Sequence, residues 1–477
     1  SSICDTRLIW PRCRRAVAAL MGAEDPATKR ARVDESPWPC WGPGKADVQA
    51  GALRVSAAVE DAAGPGCGSG GEGGIATGIS YLDHMIDQLT AHAQLRVSVR
   101  AYASERRIEP HSNELAVAVE DEVLVGLAGE ALGAALHQMW SSRTHTFSSS
   151  GSASSSRRLR FCAPLDEAFT DLSLDFGAAA GCAELNLAPY GVYPKEGRTR
   201  IGSFRTDLTE VFFKRLAERL GCRMEARKVR GKNAHHIVEA TFKSFARCLR
   251  KAMDAACSFD VVGAGASPPQ PRLGEKARST KETSIDVKLE LDPEPRGARG
   301  SILTGVKTLD DLLSELEGHS GIRLKAECKG DRWIDEHHSA EDVAITIGQA
   351  LAVAFGDKSG ITRMGFAEGR CNGAHVLCVM DISNRPCLCS DLRLDAGGEE
   401  IVGDISVEMI EHVFESLVTS ALMTVHLAQQ ATDVAEPPAG DLATAAARAL
   451  GAALKECAAV DPRRAGAVSS SKGTLSK

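Results

Sequence analysis

The sequence predicts an α+β fold made of two fused copies, each of two modules in which helices cover one face of a sheet. Three observations carry this expectation. His-His-x-x-Glu occurs twice, as His235-His236-Ile237-Val238-Glu239 and His337-His338-Ser339-Ala340-Glu341, each time heading a segment with helical apolar periodicity. A Thr-Gly-hydrophobic turn, a short helix and an alternating strand recur in that order on both sides of a Pro-rich stretch. Within each copy a smaller unit also repeats: a short helix, a strand and a longer helix that begins at the ligand position. The chain therefore reads as four helix-strand-helix modules.

In chain order, residues 1–46 are rich in Arg, Ala and Pro and lack steady periodicity. Arg7, Arg12, Arg14 and Arg15 suit a targeting peptide, and Lys29-Arg30-Ala31-Arg32 is a weak basic cluster, so a disordered or targeting extension is expected. The first copy spans 47–262. In it Thr77-Gly78-Ile79 opens the short helix, and Leu95, Val97, Val99 and Ala101 alternate as a strand. Gly64 to Gly74 and the Ser-rich run Ser141 to Ser156 read as loops. After the first His-His-x-x-Glu, Val238, Phe242, Phe245 and Leu249 form an apolar stripe fit to pack on a sheet.

Residues 263–276, with three prolines, read as a linker. The second copy spans 277–477. Ile285, Val287, Leu289 and Leu291 alternate, Thr304-Gly305-Val306 repeats the turn, and Ile322, Leu324, Ala326 and Cys328 repeat the strand. Behind the second cluster, Val343, Ile347, Leu351 and Phe355 repeat the helical stripe.

Composition limits the function classes. A 477-residue chain with 43% hydrophobic and 25% charged residues can build ordered cores. Its net charge of -7 argues against a nucleic-acid surface, and no apolar run approaches the roughly 20 residues that span a bilayer. The 15 cysteines are scattered without a C-x-x-C pair, as expected of reduced thiols in an intracellular compartment.

The His-His-x-x-Glu spacing has a chemical meaning. On a helix the Glu lies four residues after the first His and three after the second, so all three share a face. Imidazole and carboxylate together suit divalent first-row metals. Two such clusters point to a paired-metal site.

The run Thr77-Gly78-Ile79-Ser80-Tyr81-Leu82-Asp83-His84-Met85, the segment Ile334 to Val343, Gly231-Lys232-Asn233-Ala234-His235-His236 and the ending Ser470-Ser471-Lys472-Gly473 resemble the imidazoleglycerol-phosphate dehydratase family. The resemblance covers nearly everything after residue 50. It implies modules of the ribosomal protein S5 domain 2-like type and a homo-oligomeric cage of pseudo-trimers. It also implies a small-molecule substrate and two Mn2+ ions at sites between subunits.

Carried over position by position, the family's metal ligands divide between the copies. The first copy keeps His84, His235, His236 and Glu239, but has Ser112 and Leu115 at its early cluster and Val211 where a further His belongs. The second copy keeps His337, His338, Glu341 and His412. It has Asp311 at the first His, and its late cluster falls on Glu436, Pro437 and Gly440. Each ligand is thus present once, which implies one composite dimanganese site per pair of copies.

The resemblance also places phosphate contacts at Arg363, Arg385, Lys243, Ser470 and Lys472, and the acid-base residue at Glu282 of Thr280-Lys281-Glu282-Thr283. Arginine forks and ammonium groups suit a phosphate dianion. The implied reaction is the dehydration of D-erythro-imidazole glycerol phosphate to imidazole acetol phosphate in histidine biosynthesis, a hydro-lyase step in a plastid or the cytoplasm. The metal pair would let the imidazole ring take up negative charge. Two other readings stand beside it. A dinuclear metal hydrolase also fits two metals and a phosphate grip, although no Asp-x-Asp phosphatase motif is present. A non-catalytic metal-binding or scaffold paralogue predicts scattered ligand losses rather than one complete set.

Overall fold

Alternating and helical periods in this chain resolve into one unit that repeats four times in the computed structural model. The structure describes residues 41–62, 74–103, 106–107, 121–147, 158–178, 180–257, 268, 270–331, 333–464, 467–471 and 475.

The first module comprises β1 (Gly44–Ala50), β2 (Leu53–Asp61), β3 (Ile75–Ala76), α1 (Ser80–Ala93), β4 (Leu95–Ala103), β5 (Arg106–Arg107) and α2 (Asp121–Phe147). The second comprises β6 (Leu159–Leu165), β7 (Ala168–Asp175), β8 (Cys182–Asn186), β9 (Arg200–Ile201), β10 (Phe204–Arg205), α3 (Leu208–Leu220), β11 (Arg223–Arg230) and α4 (Ala234–Ala256). The third has β12 (Leu273–Ser279), β13 (Thr283–Glu290), β14 (Ile302–Leu303), α5 (Lys307–Ser320), β15 (Arg323–Gly330) and α6 (His337–Phe355). The fourth has β16 (Met364–Cys371), β17 (Ala374–Asp381), β18 (Cys387–Ser390), β19 (Ile401–Val402), β20 (Ile405–Ser406), α7 (Val407–Ser420), β21 (Thr424–Gln429) and α8 (Ala439–Ala458).

All four main sheets share one topology. A leading hairpin pairs antiparallel with the strand between the two helices, and a short strand lies parallel on the far edge, giving the orders β1-β2-β4-β3, β6-β7-β11-β8, β12-β13-β15-β14 and β16-β17-β21-β18. Each copy stacks its two modules helix face to helix face. In the first copy α1 packs on α4 and α2 on α3; in the second, α5 packs on α8 and α6 on α7. The stripes read from sequence lie inside: Val238, Phe242, Phe245 and Leu249 are buried on α4, and Val343, Ile347, Leu351 and Phe355 on α6. Each such side chain contributes about 1.5–3 kcal/mol.

Glycine sets how closely these helices cross. A Cβ on Gly129 of α2 would lie 2.3 Å from the Phe212 carbonyl oxygen of α3, and one on Gly348 of α6 would lie 2.5 Å from the Leu417 oxygen of α7.

The copies meet through their second sheets. Cys162 and Phe169 pack with Leu377, Val379 and Ala428. Arg230 donates to the carbonyls of Cys389 (2.6 Å) and Leu427 (2.8 Å), and His426 Nε2 donates to the Asp166 carbonyl at 2.9 Å.

Three boundaries differ from the sequence reading. β1 opens at Gly44, inside the expected extension, and β12 at Leu273, inside the expected linker. Both strands are made mostly of small, polar and charged residues, so they carry little apolar signal. The run from Ser141, expected as loop, continues α2 as far as Phe147, where Ser142 Oγ bonds back to the Met139 carbonyl at 2.7 Å. The loop Gly64 to Gly74 lies almost wholly outside the described residues.

Candidate metal and phosphate centre

The Thr-Gly turn places the first histidine. Asp83 Oδ1 accepts from the backbone N (2.8 Å) and Oγ1 (2.6 Å) of Thr77, which clasps the turn to the start of α1. Gly78 takes φ +89 to make that turn, a conformation open to glycine. The second copy repeats the clasp with Thr304 and Asp310 at 2.8 and 2.6 Å and with Gly305 at φ +86. One residue after Asp83 stands His84. The matching residue in the second copy is Asp311, which pairs on the surface with Lys307.

The longer helices are capped so that their first turn carries ligands. Asn233 Oδ1 accepts from the His235 N–H at 2.9 Å, and Asp335 Oδ1 accepts from the His337 N–H at 3.0 Å.

These elements build two separate groups. His84, His235 and Glu239 bring three ligand atoms within 4.8 Å of one another, and so do His337, Glu341 and His412. In the first, Glu239 Oε2 lies 3.0 Å from His235 Nε2 and 3.8 Å from His84 Nε2, while Lys243 Nζ donates to Glu239 Oε1 at 2.8 Å. In the second, Glu341 lies 3.7 Å from His337 Nε2 and 3.2 Å from His412 Nε2.

His236 and His338 stand outside both groups. His236 Nδ1 pairs with Glu167 at 2.6 Å, and His338 Nδ1 with Asp331 at 3.1 Å. A carboxylate on Nδ1 fixes the tautomer and leaves Nε2 as the ligand atom. Glu282, in the turn before β13, lies 4.0 Å from His338 Nε2.

The electrostatics suit a cation. Burial alone would raise Glu239, but Lys243 and hydrogen bonds from His235 and His84 overcome it and hold this carboxyl far below the usual range. Burial pushes the Lys243 ammonium down against the pull of Glu239. The hydrogen bond that His236 donates to Glu167 raises His236 despite its partial burial, and Glu167 in turn is lowered to about 2 against the opposing effect of burial. Two imidazole nitrogens and a carboxylate oxygen in each group form a donor set for a divalent first-row metal.

A pocket of about 510 Å³ joins the copies. From the first copy it is lined by His84, His92, Asp166, His235, His236, Glu239 and Lys243, and from the second by Arg363, Ser383, Asn384, Arg385 and Ser470. Four of the five phosphate-contact candidates thus line the same pocket as the His84, His235 and Glu239 group, and Lys472 lies outside the described residues. Arg363 is buried and forked onto Asp381 at 2.7 and 2.8 Å, and it also bonds the Ser469 carbonyl. Arg385 pairs with Asp166 at 2.5 Å and is the most open of the three cations, with 40% of its side chain exposed.

None of His337, His338, Glu341, His412 or Glu282 lines this pocket. The single chain therefore does not gather all eight expected ligands in one place. Sequence reasoning also missed Asp166, Glu167, Asp331 and Asp381. The only signal for Glu167 is an acidic pair in a hairpin turn.

The profile of a family described as "Imidazoleglycerol-phosphate dehydratase" matches residues 77–249 and again 304–454. A protein named "Imidazoleglycerol-phosphate dehydratase 3, chloroplastic", from Triticum aestivum, is 38% identical over 236 residues, covering 48% of this chain and 83% of that protein. "Imidazoleglycerol-phosphate dehydratase" of Gloeobacter violaceus is 36% identical over 206 residues, or 43% of this chain and 100% of its own length. A solved structure of the Staphylococcus aureus enzyme of that name aligns with 39% of this chain and 99% of its own at 26% identity and TM-score 0.34. A whole bacterial relative fits on less than half of this chain, and the family profile matches twice, as two fused copies require.

Proposed function

This chain belongs to the imidazoleglycerol-phosphate dehydratase family, and from that membership we propose that it dehydrates D-erythro-imidazole glycerol phosphate to imidazole acetol phosphate, a hydro-lyase step of histidine biosynthesis, at a site shared between two chains. The observation that carries the reading is the pocket that sets His84, His235 and Glu239 of one copy beside Arg363, Arg385 and Ser470 of the other.

Within that pocket the chain's own groups have distinct tasks. Arg385, the open cation, meets the substrate phosphate first, exchanging part of its pairing with Asp166 for a charge-assisted bond. Arg363 and Lys243 supply fixed positive charge from behind, Arg363 held by buried Asp381 and Lys243 by half-buried Glu239. Arg363 also positions the tail that carries Ser470 through its bond to Ser469. Holding the phosphate end orients the imidazole end toward the histidines.

His84, His235 and Glu239 would hold one manganese ion and His337, Glu341 and His412 a second, and the bound pair supplies Lewis-acid stabilisation of charge on the imidazole ring. The two groups lie apart in one chain, so the composite site forms when the second group of one chain meets the pocket of a neighbour. His236 and His338, with Nδ1 tied down, would each offer Nε2 across that interface. Glu282 travels with the second group and would move protons at the substrate carbons. The assembly is then a homo-oligomer whose activity depends on association. Relatives named chloroplastic support the plastid over the cytoplasm as its compartment, and no described helix is long and apolar enough to cross a membrane.

The test is direct. The purified, manganese-loaded full chain should turn over the substrate, and His235→Ala and His337→Ala should each abolish turnover. A metal-loaded, oligomeric chain without dehydratase activity overturns the reading.

A further inference from the structure

Strand β18 carries two cysteines two residues apart, Cys387 and Cys389, so both side chains project from one face of the strand. Their sulfurs lie 3.7 Å apart. Among the described residues β18 is the edge of its sheet and pairs with β21 alone, with Cys389 beside His426 in the ladder. That face looks onto the seam between the copies, where His426 holds the Asp166 carbonyl and Arg230 holds the Cys389 carbonyl. Both thiols are half-buried. The pair also stands two residues past Arg385, whose pairing with Asp166 shapes the phosphate side of the pocket.

We propose that Cys387 and Cys389 are a redox-active dithiol that a small-molecule disulfide of the glutathione class oxidises to an intramolecular disulfide, loosening the Arg385 side of the pocket. The consequence for the pocket rests on the proposed function; the chemistry of the thiols does not.

Geometry permits the bond. Residues two apart on a strand have Cα atoms about 6.6 Å apart, near the upper end of the range that a disulfide spans. Closing the sulfurs from 3.7 Å to about 2.05 Å demands a small pucker of the strand. An edge strand gives such movement more readily than a central one, because it has a ladder on one side only. The pucker centres on Leu388 and draws on Cys387, whose N–H bonds the Met423 carbonyl at 3.0 Å beside the Arg385-Pro386 corner.

The roles of the two sulfurs are unequal. The hydrogen bond from Cys387 lowers Cys389 to about 7 against the effect of burial, with Arg230 adding to the effect, while Cys387 is raised by the same hydrogen bond and by burial. Cys389 is therefore the attacking thiolate. It attacks one sulfur of the disulfide, forming a mixed disulfide and expelling one thiol. Cys387 gives its proton to water and attacks the Cys389 sulfur, expelling the second thiol. Two protein thiols lose two electrons, and the small disulfide gains them.

The test equilibrates the full-length oligomer with glutathione buffers of graded redox poise, followed by mass spectrometry of the peptide carrying both cysteines. The expected result is a peptide lighter by two hydrogens, restored by dithiothreitol and absent in Cys387→Ser and Cys389→Ser. With the bridge formed, KM should rise at least threefold and inorganic phosphate should bind more weakly by calorimetry. Neither change should occur in the serine variants. A peptide that stays dithiol at every poise overturns the site, and a bridged protein with unchanged phosphate binding overturns the link to the pocket. Because the peptide mass and phosphate binding are read without turnover, failure of the dehydratase reading would show separately.

Discussion

If the site is shared between chains, two dead variants should rescue one another. His235→Ala breaks the first group, where His235 lies 3.0 Å from Glu239, and His337→Ala breaks the second, where His337 lies 3.7 Å from Glu341. Every site in either pure variant then lacks a ligand. In a random one-to-one assembly, half of the first groups and half of the second groups are intact. A site drawing one group from each of two chains is then whole about a quarter of the time, provided the interface joins unlike surfaces of equivalent chains. A site built within one chain is never whole, because every chain carries a defect. Co-expressed variants with two different tags, purified through both, provide the mixed assembly, and release of the keto-phosphate product is the assay. About a quarter of wild-type turnover is expected. Double-tagged assemblies no more active than the single variants would refute the shared site.

Further outcomes follow from the same geometry. Arg385→Ala should raise KM about tenfold or more, because a hydrogen bond to a charged group contributes about 1.5–3 kcal/mol, while kcat changes less. His426 at the seam is lowered to about 4 by burial, with Arg230 adding to the effect. Its folded pKa thus lies below its unfolded value, so the unfolded chain takes up the proton first and stability falls as pH drops from about 6.5 toward 4. By pH ~4.5 the loss should be about 2.5 kcal/mol. Urea midpoints at the two ends of that range should show this component in the wild type and not in His426→Gln. Gly348→Ala should cost about 1–3 kcal/mol by the same measurement, because its Cβ would lie 2.5 Å from the Leu417 oxygen. Asp311→His should leave the metal content by elemental analysis unchanged, since α8, the counterpart of α4, opens Ala439-Gly440-Asp441 and carries no histidine to join it.

Much of the fold was legible because its modules are amphipathic and repeated. The Thr-Gly turns, the alternating strands at Leu95 and Leu324 and the stripes on α4 and α6 each carry a period that one buried face imposes. The leading hairpins were harder to read. β17, Ala374–Asp381, is buried along its whole length, because one face packs on helices and the other on the first copy at the seam, so its apolar residues do not alternate. The clustering of His with Glu was legible as spacing on a helix. The carboxylates that orient His236 and His338, and the separation of the two groups, depend on how elements distant in sequence dock, and no local pattern records that.

The seam also accounts for how the ligands are divided. The copies join by unlike surfaces: the β6–β7 hairpin and Arg230 of the first copy meet β18 and β21 of the second. Such a contact between equivalent units completes one pocket and leaves the equivalent pocket without its partner surface. The completed pocket pairs the His84 group of the first copy with Arg363 and Arg385 of the second. The equivalent pocket would pair Asp311 and the histidine-free helix α8 with the first-copy segment Phe176-Gly177-Ala178, which stands where the second copy has Arg385 and holds no cation. Losses on two sides of one pocket, with retention on both sides of the other, follow from a fusion that fixed which pocket could be completed. The second copy's His337 group does not line that pocket, and the proposed assembly sets it against the pocket of a neighbouring chain.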